Sequence, residues 1–287
     1  MKKPVIGLVL GGGGARGLAH IGVLKVLEQH NIPIHVLAGT SMGGLVAAAF
    51  ATGLNANELE EHAIHTCQTR QLIKLMDISP SRRGLLEGNR VKSHLLNWLG
   101  DNLFFENLRI PLSLTAVDLH TSQEHIFDHG QLLPAIFSTI AVPGVFAPVP
   151  FENKLLVDGG VLDNLPLLIA RKMGADILIA VDVQIDPQRQ PVPQTLPAPF
   201  HLPRHIQLPE LIRDFYWSLL IMSNAQTQQQ ISRAKPEILI KPNIPPDVDM
   251  FLSFTKAPQL IQLGEQAATE ALPLIHQVLN KTLANYF

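Results

Sequence analysis

Apolar residues recur along this chain with two different periods. Val5–Leu10 is an unbroken apolar run of strand length, Ile177–Val183 is one interrupted only by Asp182, and Ile34–Ala38 is a shorter one interrupted by His35. Such runs predict strands buried on both faces. Arg16 to His30 follows another rhythm. Ile21, Leu24 and Leu27 share one helical stripe, with Leu18, Val23 and Val26 beside it, which predicts a buried helix. Leu45–Ala51 is a helix of small residues, suited to close packing. Strand, helix, strand, helix in short units predicts an α/β fold with parallel strands.

The rest of the chain continues in the same style. Asn57–Cys67 and Arg90–Leu99 read as helices, joined by a stretch containing Ser79-Pro80 and Arg82-Arg83-Gly84. Leu112–Val117 and Glu124–Phe127 read as strands, Gln131–Ser138 as a helix ending before Val142-Pro143, and Leu155–Val157 as a short strand. Pro166 suits the first turn of a helix running to Met173. Residues 184–209 hold seven prolines and predict a long irregular loop, either a lid or a plain linker. Leu211, Phe215, Leu219 and Met222 then mark one face of a long helix. Ile238–Ile240 suits a last strand. Pro258 to Leu283 suits a terminal helix with Pro273 as a kink.

Composition changes this picture in one respect. Only 16% of the 287 residues are charged, against about 25% in a typical soluble domain, and the mean hydropathy is +0.19. Residues 29–57 and 129–151 carry no Asp, Glu, Lys or Arg. Each is long enough to cross a bilayer, which needs about 20 apolar residues. Pro33 and the Gly39–Gly44 turn divide the first, and Pro134, Pro143, Gly144, Pro148 and Pro150 divide the second. Both therefore read as globular interior, and no transmembrane segment is expected. A net charge of −2 offers no basic field for nucleic acid. The single cysteine, Cys67, excludes an intramolecular disulfide and fits a reducing compartment. The run after Met1-Lys2-Lys3-Pro4 is too short for a signal peptide, so a cytoplasmic location is expected.

Three places carry candidate chemistry. Gly12-Gly13-Gly14-Ala15-Arg16-Gly17 lies between a strand and a helix and fits the dinucleotide fingerprint. The second strand ends Val36-Leu37-Ala38-Gly39, however, without the carboxylate that would hold a ribose. A phosphate loop would need Lys and Ser or Thr where Leu18-Ala19 stand. An oxyanion hole needs what remains: backbone N–H groups brought close by glycine at a helix N-terminus. A tight turn without ligand is the plain alternative.

Gly39-Thr40-Ser41-Met42-Gly43 fits G-x-S-x-G between a strand and a helix, the context of a nucleophile elbow. Ser41 capping the helix is the competing reading. Val157-Asp158-Gly159-Gly160 places a carboxylate at a strand end, where burial beside a serine would make it a better base. An Asp-Gly turn would look the same. His201, His205 and His276 lie in the chain order that a conventional triad requires, but none has a supporting context. His20 reads as structural. His125/His129 and His201/His205 match metal-ligand spacing without a supporting carboxylate pattern.

The three motifs, in this order, resemble the patatin-like phospholipase family, in particular its small bacterial members. The likeness continues through Ala141-Val142-Pro143-Gly144-Val145-Phe146-Ala147-Pro148, Asp163-Asn164-Leu165-Pro166 and residues 254–268. It implies a three-layer α/β/α fold with a mainly parallel central sheet and the site at the strand C-terminal ends. It implies a Ser–Asp dyad: Ser41 attacks an ester carbonyl, Asp158 takes the proton, and N–H groups around Gly12, Gly13 and Gly14 hold the oxyanion. Gly17, Gly39, Gly43, Gly159 and Gly160 support the motifs. Arg16 matches the family's basic position, in an electrostatic or a structural role. No metal and no cofactor are implied. The substrates implied are acyl lipids, lysophospholipids or simple esters, met at a membrane or micelle surface by peripheral contact. The expected organisation is a single domain over residues 1–287, with a catalytic core at 5–172 and an extension at 173–287. A lipid-binding or regulatory protein with little turnover is the alternative on the same scaffold.

Overall fold

A computed structural model describes residues 4–77, 83–100, 103–185 and 210–284. The strands are β1 (Ile6–Leu10), β2 (Val36–Gly39), β3 (Leu112–Asp118), β4 (Gln123–Phe127), β5 (Val149–Phe151), β6 (Lys154–Asp158), β7 (Ile177–Val181) and β8 (Ile238–Ile240). The helices are α1 (Ala19–Gln29), α2 (Ser41–Ala51), α3 (Ala56–Thr66), α4 (Thr69–Leu75), α5 (Asn89–Leu99), α6 (Leu132–Thr139), α7 (Leu167–Lys172), α8 (Glu210–Ala234) and α9 (Ala257–Ala284). None of the described helices is long and apolar enough to cross a membrane.

The strands form one sheet. From β8 through β7, β1 and β2 to β3 all neighbours are parallel. Around β3 the sheet changes character: β4 and β6 pair with β3 antiparallel, and β5 pairs antiparallel with β6. The expected mainly parallel sheet thus carries an antiparallel edge. Connection length sets the two hairpins in it, β3–β4 and β5–β6. Four residues join β3 to β4 and two join β5 to β6, whereas a parallel crossover needs about a dozen.

Side-chain alternation divides the sheet's two faces. Ile6, Leu8 and Leu10 of β1, with Ile177, Ile179 and Val181 of β7, enter one core with α1, α2, α6 and α9. Val9, Leu178 and Ala180 point the other way, against α7. Helices therefore cover both faces, giving three layers. α9 lies along α1, and Lys25 of α1 pairs with Glu265 of α9 and, at 2.6 Å, with Glu60 of α3. α3 opens with a capping box, in which Asn55 accepts from the Glu58 N–H and Glu58 from the Asn55 N–H.

Some expectations shift. Residues 14–18 form a 3₁₀ turn ahead of α1, and α2 starts at Ser41, four residues before the predicted helix. α4 and β5 were not expected. On α8 the predicted stripe is turned outward: Leu219 and Met222 are exposed, while Trp217 and Leu220 pack on Ile185. The side chains of Leu211 and Phe215, and residues 186–209 of the proline-rich loop, lie outside the described residues.

The β3 registers decide where the chemistry sits. β4 covers one edge of β3 from Leu114 to Asp118. The other edge is shared: β2 pairs along Leu112–Leu114 and β6 along Ala116–Asp118. β2 and β6 run toward each other on that edge. Their C-terminal residues, Gly39 and Asp158, are in register with Leu114 and Ala116, with Thr115 between them.

Candidate active site

Ser41 begins α2 directly after β2, with φ +55°, in the left-handed region. A β-branched or bulky residue would be strained there, and even serine carries about 1–2 kcal/mol. The surroundings hold it in place. The Ser41 N–H donates to Thr139 Oγ1 at 2.9 Å, and the Gly44 N–H donates to the Thr40 carbonyl at 3.1 Å. Thr40 occupies the cap position without a side-chain capping bond, so Ser41 is not the helix cap. Gly43 lies against β1, where a β-carbon would collide with the Leu10 carbonyl oxygen. Gly39 lies against Gly44, and Gly17 against Met42.

Asp158 ends β6 and is 5% exposed. Its N–H donates to the Ala141 carbonyl at 3.0 Å, and its Oδ1 accepts from the Gly160 N–H at 2.8 Å. The adjoining Gly159 packs on Thr115. Burial pushes the Asp158 carboxyl up to about 7, against the opposing hydrogen bonds from the Ser41 side chain and the Gly160 N–H. A carboxyl poised there is half ionised at neutral pH and lies near enough to the strained serine for the Ser41 side chain to oppose the shift. Among the described residues no histidine bonds to either side chain. His201 and His205 lie outside the described residues, and His276 sits on α9 near His30.

The glycine loop lies beside Ser41: a β-carbon on Gly12 would stand 3.0 Å from Ser41 Cβ. Its N–H groups are not equivalent. The Gly12 N–H donates to the Asn164 carbonyl at 3.0 Å, which removes it from the expected oxyanion donors. Gly13 and Gly14 have no hydrogen-bond acceptor among the described residues. A distant segment fixes the loop's far side. The Ala15 N–H donates to the Met250 carbonyl at 2.8 Å, and Arg16 Nε to the Val248 carbonyl at 3.1 Å. Arg16 is buried, so its role here is that of an anchor. His20 Nε2 lies 2.7 Å from the Gly11 carbonyl. A carbonyl can only accept, so Nε2 carries the proton. Burial lowers this imidazole to about 4, keeping it neutral.

The remaining buried carboxylates and the spaced histidines separate cleanly. Asp118 accepts from the His120 and Leu155 N–H groups and the Thr121 hydroxyl, which makes it a turn residue. Asp182 is buried against Lys241 at 3.2 Å. His125 packs on Phe127 and Phe151, while His129 is exposed beside Asp128. Among the described residues no three potential ligands are grouped to hold a metal ion. Asp163 is another matter. Burial and the nearby Glu124 charge push its carboxyl up to about 7, and its Oδ1 has no partner among the described residues.

A largely apolar cleft of about 240 Å³ includes Ala141 in its lining, the residue whose carbonyl accepts the Asp158 N–H, while Ser41 and Asp158 themselves do not line it. Val91 of α5, Phe137 and Ile140 beside α6, Ala141, Phe146 and Val149 line it, and Lys92 lies over the Phe137 ring at 5.5 Å. Its wall is linked to Asp158 through the Ala141 carbonyl, and Thr139, next to the lining residue Ile140, bonds to Ser41. Thr40, Thr115, Thr139, Asp163 and Asn164 thus support the site without having been singled out from sequence. Of these, Thr40 lay inside the Gly39–Gly43 motif and Asp163-Asn164 in a further stretch that carried the family likeness.

Comparison with known proteins bears on the family and the fold. A family model described as patatin-like phospholipase matches residues 8–171. An uncharacterized NTE family protein of Mycobacterium tuberculosis is 37% identical over 184 residues, covering 63% of this chain and 50% of that protein. The neuropathy target esterase sws of Drosophila melanogaster is 33% identical over 182 residues, 62% of this chain and 13% of that protein. The chain therefore matches half or less of the length of these relatives. Among solved structures, VipD from Legionella pneumophila superposes with a TM-score of 0.51 at 12% identity, over 96% of this chain and 67% of that one. Human GIVD cytosolic phospholipase A2 gives 0.52 at 13% identity, over 98% and 60%. These two likenesses concern the fold.

Proposed function

The chain belongs to the patatin-like phospholipase family, and on that premise we propose that it hydrolyses carboxylic esters of acyl lipids with Ser41 as nucleophile and Asp158 as base. One observation carries the reading: a buried carboxyl raised to about 7, near enough to Ser41 for that side chain to oppose the rise, stands beside a serine held at φ +55°. A base near the working pH serves proton transfer best, and a weak alcohol needs such a base to attack.

The reaction follows from the placement. Ser41 Oγ adds to the ester carbonyl carbon as its proton passes to Asp158. The carbonyl π electrons move onto oxygen, and the oxyanion is met by the Gly13 and Gly14 N–H groups and the N-terminal end of α2. When the oxyanion collapses, the carbon–oxygen bond to the alcohol breaks and Asp158 returns the proton to the departing oxygen. Water then repeats the sequence on the acyl-Ser41 ester, with Asp158 taking a proton from water and returning it to Ser41. The fatty acid leaves.

The acyl chain occupies the apolar cleft beside Ala141. Val161 and Leu162, just past Asp158, are 42% and 37% exposed and give the site an apolar rim suited to a lipid at a membrane or micelle surface. The test is hydrolysis of p-nitrophenyl esters and lysophospholipids by the wild type and by Ser41→Ala and Asp158→Asn. Turnover should vanish in Ser41→Ala and fall about 10²- to 10⁴-fold in Asp158→Asn, and a fluorophosphonate should label Ser41. Full activity in Asp158→Asn overturns the dyad.

A further inference from the structure

The loop after Asp158 carries a polar side chain that this scheme does not use. Asn164 is buried, and it holds Gly12 by both of that residue's polar groups. Its carbonyl accepts the Gly12 N–H at 3.0 Å, and its Nδ2 donates to the Gly12 carbonyl at 3.1 Å. The fit is close: a β-carbon on Gly12 would stand 2.5 Å from Asn164 Oδ1. With Ser41 Cβ on another side, Gly12 is wedged between Asn164 and the nucleophile. The neighbouring residue ties down the elbow as well, since the Asp163 carbonyl accepts the Thr40 hydroxyl at 2.9 Å. Thr40 Oγ1 also lies 2.8 Å from Thr115 Oγ1. One dipeptide therefore joins the loop bearing the base to the loops bearing the nucleophile and the free N–H groups.

We propose that Asn164 is a positioning residue for the oxyanion site: by clamping Gly12 it aims the Gly13 and Gly14 N–H groups at the oxygen of a carbonyl bound over Ser41. The physical need is specific. A glycine run has wide backbone freedom, whereas an oxyanion donor acts only within about 2.7–3.1 Å of the developing charge. Val248 and Met250 hold the loop beyond Gly14. On the side facing the serine, Asn164 supplies the matching restraint. Ground-state ester binding in the apolar cleft needs no such aim, so the clamp acts on kcat and leaves KM nearly alone.

This inference rests on the hydrolase reading, and the experiment separates the two. Wild type, Asn164→Ala and Asn164→Asp are assayed as full chains with p-nitrophenyl esters. A trifluoromethyl ketone, whose adduct with Ser41 places an oxyanion in the same position, reports transition-state complementarity. In Asn164→Ala, kcat should fall about 100-fold, as expected for a displacement near 1 Å, with KM within about threefold. Affinity for the ketone should fall by the same factor as kcat/KM. In Asn164→Asp a carboxylate faces the Gly12 carbonyl, and its protonated form regains a donor. The ratio of its activity to wild type should therefore rise as pH is lowered, a response that packing alone does not produce. Unchanged kcat, a loss confined to KM, or a lowered kcat with unchanged ketone affinity each overturns the inference while the hydrolase reading stands. If Asn164→Ala does not fold, a flat activity ratio for Asn164→Asp across pH overturns it. A wild type inert toward every ester overturns both.

Discussion

Replacing Asp158 by asparagine should make the protein more stable and inactive at once. Burial raises this carboxyl from 3.8 to about 7. Between those values the folded chain keeps a proton that the unfolded chain has released. Raising the pH through that window therefore favours unfolding, and the penalty is complete above pH 7. At about 1.4 kcal/mol per tenfold change in proton affinity, the gap is worth up to about 4 kcal/mol. Asparagine removes the ionisation and keeps an oxygen for the Gly160 N–H. Urea unfolding should give similar stabilities for wild type and Asp158→Asn near pH 4. By pH 8 the variant should be ahead by up to about 4 kcal/mol. Asp163, raised in the same way, leaves a residual slope in both proteins and cancels in the comparison. Wild-type kcat/KM should climb with pH through about 7 as the base ionises, while the variant loses about 10²- to 10⁴-fold. Parallel stability curves from pH 4 to 8 would refute the argument that Asp158 is the desolvated carboxyl.

Other consequences are as direct. Gly43→Ala drives a methyl into the Leu10 carbonyl; thermal or urea unfolding should show about 1–3 kcal/mol of destabilisation, with hydrolysis lost, and a neutral result would remove the elbow's steric basis. His20 stays neutral down to about 4 when folded, against 6.5 ordinarily, so wild type should lose up to about 3 kcal/mol as pH falls through that window. His20→Gln keeps a donor for the Gly11 carbonyl and should flatten this acid slope, and an unchanged slope would contradict it. Val91→Trp fills the cleft that Val91 helps to line and should lower the kcat/KM ratio of dodecanoyl to acetyl esters about tenfold or more. An unchanged ratio would put the acyl chain elsewhere.

Much of the site could be read directly because its parts are local. A strand, a glycine turn and a helix lie within a few residues of Ser41, and Asp158 ends its own strand. What supports them is distant: Thr139 is 98 residues from Ser41 and Asn164 is 152 from Gly12. Val248, which anchors Arg16, is 232 residues away. A threonine or a carbonyl at such a distance leaves no pattern in composition or periodicity. The commitment of the Gly12 N–H to Asn164 was hidden for the same reason. The β3–β4 and β5–β6 hairpins were readable in principle, since four- and two-residue connections forbid crossovers. β5, however, carries Pro150 in three residues and gives almost no strand pattern. On α8 the regular apolar spacing misled, because Trp217 and Leu220, one to two positions away, take the buried face.

The central claim is that acyl transfer passes through Ser41 with Asp158 as the base. The most direct test is a single-turnover reaction with a slowly deacylating p-nitrophenyl ester, stopped in acid and mapped by peptide mass. The account predicts one acyl group, on the peptide bearing Ser41, formed at a rate that rises with pH through about 7 and is nearly abolished in Asp158→Asn. Turnover with the acyl group on another residue, or undiminished acylation of Ser41 in Asp158→Asn, would contradict it.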